Sequence, residues 1–241
     1  MGLFDFFKSK DDDESKIGIP SDERTSSFMR PLAFDEENNL FILEDKALAF
    51  AFQCLPLNGT SDGLQERIKE LLQMEFPHDT IMQFCLFRSP DIEMELKDYR
   101  ELRPTVIQDP ILRDSVKSRE NFLRTHTREM IETTLSNGAF YRNGIIVDLK
   151  LMVSVIISIK NELPTSEDIE RAKNISVAVK SSLTTICLCP VEVDANRYLR
   201  FISPMINWSR NAAWTNNFVG LWEPSTPLSK QVFDWKLRQR I

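Results

Sequence analysis

Cys187 and Cys189 stand two residues apart in a segment, Ile186 to Val193, that reads as a strand. Thiols at that spacing share a face and would supply half of a tetrahedral metal site. The other half is missing, because the two histidines, His78 and His126, fall on a turn and on a helix with no ligand spacing to each other. The pair reads instead as buried structural thiols. A Ser/His/Asp or Cys/His nucleophile needs a histidine held beside it, and neither histidine has that setting. Asp35, Glu36 and Glu37 are carboxylates of the type used for acid–base work, but their position before a hairpin fits a solvated turn. A P-loop ends in Gly-Lys-Ser/Thr so that backbone N–H groups wrap the phosphates and the lysine reaches the terminal ones. None of the seven glycines is followed by lysine, and Gly59, Gly63, Gly138 and Gly144 suit turns and caps. The expectation for this chain is no catalytic residue, no bound cofactor, no metal and no small-molecule substrate.

The basic residues near the end carry a different chemistry. Residues 195 to 241 hold seven Lys or Arg against Glu223 and Asp234, a local +5 on a chain of net charge −6, which leaves −11 for the remainder. Arg197, Arg200, Lys236 and Arg238 are interleaved with Tyr198, Trp208, Trp214 and Trp235, and single-stranded nucleic acid binds through stacking plus basic grooves. Tryptophan and arginine are equally the residues of protein interfaces. Nucleic-acid binding therefore stands as the alternative reading of this segment, and Trp208, Trp214, Trp222 and Trp235 stand as interface candidates.

These side chains must be positioned by recognisable elements. With 241 residues, 42% hydrophobic and 27% charged, the chain can bury a sizeable core. Its longest apolar run, Leu151 to Ile159, is too short to cross a bilayer. The four cysteines sit in strand-like segments with no signal-peptide pattern ahead of them, which points to the cytoplasm. Residues 1 to 30 read as a sticky tip, MGLFDFF, on a charged tether.

Leu40 to Leu43 and Ala47 to Leu55, joined by Glu44-Asp45-Lys46, read as a hairpin. In its second strand Leu48, Phe50, Phe52 and Cys54 alternate with Ala47, Ala49 and Ala51. The large face belongs on a core, and the alanine face admits close approach by a helix or another chain. Asp62 as N-cap opens an amphipathic helix through Leu72, and a strand follows from Thr80 to Phe87. Asp91 to Leu102 and Ile111 to Leu135 read as helices, the second long, charged and ended by Asn137-Gly138. Its mixed signs suggest an exposed face. A strand from Ile145 to Ile159 places Leu149, Leu151, Val153, Val155, Ile157 and Ile159 on one side, opposite Lys150 and Ser154. Thr165 with Asp168 forms a capping box for a helix buried along Ile169, Ala172, Val179 and Leu183. The strand Ile186 to Val193 and a helix from Ala195 to Ile206 follow. Two strand-helix-strand units predict an α+β fold, a ferredoxin-like sandwich of a mostly antiparallel sheet with packed helices. The expected division is a tail at 1–30, a domain at 31–206 and a Trp-rich basic extension at 207–241.

Three stretches resemble the TraC family, the ATPases of F-type conjugative type IV secretion systems. They are Phe34 to Pro77, the strand VDLKLMVSVIIS at Val147 to Ser158, and the helix and strand that continue from SEDIERAKNI through MINW. Asp35, Glu37, Leu40, Phe41, Pro56, Asn58 and Gly59 match the family's opening pattern. The resemblance covers most of residues 34 to 207, and it implies the N-terminal part of a motor whose P-loop domain, with its ATP and Mg²⁺, lies downstream. It further implies a domain on the cytoplasmic face of the inner membrane that self-associates and docks the motor on inner-membrane secretion components for pilus assembly and DNA transfer. Ala47, Ala49 and Ala51 then join the tryptophans as interface candidates.

Overall fold

The computed structural model describes residues 29–57, 59, 62–101, 109–127, 129–136, 138, 140–142, 144–206 and 222–231. The tip and tether expected at the start lie outside these residues.

The described chain begins with a meander of β1 (Pro31–Asp35), β2 (Leu40–Leu43) and β3 (Ala47–Cys54). The β1–β2 turn forms because the Asp35 carboxylate accepts from the Glu37 N–H at 3.1 Å and from the Asn38 amide at 2.6 Å. The expected hairpin is present, with Ala47 opposite Leu43 and Ala49 opposite Phe41. Helix α1 (Leu64–Leu72) follows, but Asp62 does not cap it: Gly63 does, at a φ of 78° that only glycine adopts without strain. Strand β4 (Ile81–Ser89) then pairs with β7 (Asp148–Ser158), which in turn pairs with β3. Helix α4 (Ser166–Thr185) carries the predicted capping box, and Ala172, Val179 and Leu183 are fully buried along it. The two-residue β8 (Val191–Glu192) returns to pair with β3 at Phe52 and Gln53.

All of these pairings are antiparallel, and β8, β3, β7 and β4 lie side by side in that order. Strands β3 and β4 flank β7, while β7 and β8 flank β3. Each strand-helix-strand unit is thus split by a strand of the other, which is the ferredoxin-like arrangement predicted from the sequence. Strands β1 and β2 extend the sheet beyond β3.

Between β4 and β7 lie helices α2 (Glu93–Glu101) and α3 (Pro110–Thr125) and a small hairpin of β5 (Glu132–Thr134) and β6 (Phe140–Arg142). The long helix expected to run to Leu135 stops at His126. Residues 132–134 of that stretch are instead the first arm of the hairpin, because Gly138 takes a φ of 78° suited to a turn and Thr133-Thr134 favour strand over helix. Gly138 thus sits between two strands and does not end a helix.

The sheet is covered on both sides. Leu48, Phe50, Phe52, Val153, Val155 and Ile157 form one core with α1 and α4. Burial of Phe50 or Phe52 contributes about 1.5–3 kcal/mol each. The opposite side packs Phe34, Phe41, Leu43 and the three alanines against α5 (Ala195–Ile206) and α6 (Leu228–Gln231).

Candidate docking surface

Ala47, Ala49 and Ala51, proposed from sequence as an open face, are all buried. They lie in one cluster with Ala195, Leu199 and Phe201, so the short side chains leave a trough that this chain's own α5 fills. Sequence alternation allowed a helix or another chain there, and the helix takes the place. Asp194 fixes where α5 starts, its carboxylate accepting from the Arg197 N–H at 2.7 Å. The opposite end of the trough is closed by Trp222, which meets Phe34 edge-on at 5.5 Å between centroids, and by the fully buried Leu228. Part of the segment expected to lead away from the domain therefore packs back on it. Trp208, Trp214, Trp235, Lys236 and Arg238 lie outside the described residues.

Arg200 of α5 is not a free cation. Its Nε and one Nη donate to the two oxygens of Asp91 at 2.9 and 3.0 Å, and the Asp91 side chain has no exposed surface. This fork anchors α5 to the turn that follows β4. Arg197, the other described member of the basic set, is exposed.

A second ionic cluster holds the inserted helices to each other. Arg124 of α3 donates to both oxygens of the buried Glu93 at 2.6 and 2.9 Å, and those hydrogen bonds raise its guanidinium pKa further. Glu120, also buried, lies 3.5 Å from Arg124 and 3.1 Å from the Arg100 Nε, although the latter is not aligned to donate and leaves one carboxylate oxygen without a hydrogen bond. The charged helix thus turns part of its ionic face inward, where mixed signs neutralise one another. Lys150 is likewise buried and pairs with Asp148 at 3.2 Å, while Leu149, expected inside, is exposed. The start of β7 extends past the helices, so there its two faces exchange exposure.

The cysteine pair departs from the sequence reading. Cys187 and Cys189 are exposed and take left-handed φ values of 68° and 47°, because Ile186 to Pro190 is a turn rather than a strand. Cys54 is buried, and burial together with the neighbouring Cys189 pushes its thiol up to about 11. No group of three or more His, Cys, Asp or Glu arranged to hold a metal occurs among the described residues.

The surface that sequence analysis missed is the far side of β4. Among the described residues no strand pairs with it there. The core between the sheet and α1/α4 reaches Met82 and Leu151 and ends. Beyond it, on the same face, Phe84 is 47% exposed and Leu86 61%, with Leu149 alongside. Ile81, on the other face, is 52% exposed. The signal was visible as IMQFCLF, apolar at both parities, which reads as a strand covered on both sides. Periodicity cannot tell an edge strand awaiting cover from a central one.

A family model described as TraC protein matches residues 31–240. No curated protein and no solved structure matches.

Proposed function

The chain belongs to the TraC family of the F-type conjugative system, and from that premise we propose that it docks and assembles a secretion motor without itself catalysing a reaction. Membership assigns it a role in conjugative type IV secretion. The observation that carries the finer reading is the apolar edge of β4, where Phe84, Leu86 and the neighbouring Leu149 of one sheet face stay exposed although most other large side chains of the sheet are buried. Apolar patches of this kind mark contacts with other proteins.

On this reading the chain works on the cytoplasmic side of the inner membrane and contacts membrane components of the secretion machine. No helix among the described residues is long and apolar enough to cross a membrane, and the proposed attachment is through protein contacts. ATP and Mg²⁺ belong to a P-loop domain of the motor, a motif absent from these 241 residues.

The test is fractionation of cells that express the chain with and without the membrane components of a conjugation system. Retention in the inner-membrane fraction only when those components are present is the expected result. Equal partition in both strains, with no effect of the chain on plasmid transfer, removes the docking reading.

A further inference from the structure

We propose that the exposed edge of β4 is a self-pairing surface, on which a second copy of this chain adds its own β4 antiparallel to continue the sheet. The proposal rests on the docking reading and specifies one of its contacts.

The first argument is the absence of protection. An edge strand exposes a row of unpaired N–H and C=O groups, and folded proteins blunt such edges with proline, lysine, bulges or short length. Strand β4 runs nine residues with no proline and no lysine. Its register against β7 is unbroken from Ile81 opposite Ile156 to Ser89 opposite Asp148. An edge this long, regular and apolar is a template for another strand.

The second argument selects a copy of the same chain. Placing a two-fold axis at Phe84 sets Phe84 against its own counterpart, Met82 against Leu86, Ile81 against Phe87 and Gln83 against Cys85. Every large apolar side chain of the strand then meets another apolar one. Exposed Phe84 and Leu86 become covered. The charges agree as well. Arg88, the strand's one ionised residue, comes opposite Thr80 of the other copy, next to its Asp79, an exposed carboxylate that pairs with His78 at 2.8 Å. Antiparallel pairing brings the acidic start of each strand to the basic end of the other. The interface is isologous, as two-fold symmetry requires.

The axis also makes the test specific, since residue 84 faces itself. Sedimentation of the purified chain at high concentration should give about twice the 28.0 kDa mass of one copy. Phe84→Glu and Phe84→Lys each set like charges face to face, and each should raise the dissociation constant by about tenfold or more. An equimolar mixture of the two variants should restore the dimer. Directly opposed residues also meet disulfide geometry. Phe84→Cys, in a chain whose exposed Cys187 and Cys189 are replaced by serine, should therefore cross-link two copies on mild oxidation, while Ile68→Cys on α1 should not.

A monomeric wild-type chain overturns the proposal, including the case in which the edge instead takes an extended segment of another protein. A dimer unmoved by either charged variant overturns it too, as does failure of Phe84→Cys to cross-link. Membrane retention without self-pairing leaves the docking reading in place, and self-pairing without retention removes docking alone.

Discussion

The two edges of the sheet receive opposite treatment. At the β1 edge the strand is short, Pro31 opens it, and the pairing with β2 slips between Pro31 and Ala33. Helix α6 and Trp222 then cover the adjoining face. Each feature makes that edge a poor template. At the β4 edge the strand runs nine residues in unbroken register and has none of these devices, and its apolar side chains Ile81, Phe84 and Leu86 face water. Within one sheet, then, one edge is blunted and covered, while the other is left bare among the described residues.

The comparison can be broken or sharpened by substitution, measured as chemical denaturation of dilute protein. The largest effect is expected where the covered side is anchored. Arg200→Ala leaves Asp91 buried without its cation and should cost about 3–5 kcal/mol, whereas Arg197→Ala, on the same helix but exposed, should stay within about 0.5 kcal/mol. Next comes the trough under α5. Ala49→Leu forces the helix outward and should cost about 1–3 kcal/mol.

A smaller loss, about 1 kcal/mol, is expected for Thr165→Ala at the cap of α4. That cap also titrates. The hydrogen bond from Thr165 holds the Asp168 carboxyl below its ordinary range. A depressed folded pKa gives stability that is present above the unfolded value and lost as pH falls through the folded one. The wild-type chain should therefore lose this increment as pH drops below about 4, and Thr165→Ala should lose less over the same window.

The smallest effect is expected at the bare edge, where Leu86→Lys removes no buried contact and should change stability by no more than about 0.5 kcal/mol. If Leu86→Lys costs as much as Ala49→Leu, the β4 edge is covered in solution by the chain itself, and the contrast between the edges fails.

Much of this molecule was legible in the sequence, and the reason differs by element. Strong alternation placed β2 and β3, and a complete capping box located α4. Two strand-helix-strand units foretold the split topology that the pairings of β3, β4, β7 and β8 complete. Strand β5 fell within the expected helix because Glu129 and Glu132 fit either state. A Gly138 turn serves a helix end as readily as a strand pair. Cys187 and Cys189 were misplaced because one Pro190 and two left-handed residues shorten the strand to Val191–Glu192. Of the candidate contact residues, the alanines pack against α5, about 150 residues away in sequence, a partner that local alternation could not name.

By itself, the sequence determined the local periods, the capping box of α4 and the family, since each depends on residues within a few positions of one another or on a linear pattern. Tertiary structure alone decided which apolar surface is used up. Leu86 and Phe52 are equally apolar residues on strands of one sheet, yet one is 61% exposed and the other fully buried. Helices α1 and α4 end their cover between them, and where a packed layer ends is a property of the assembled chain.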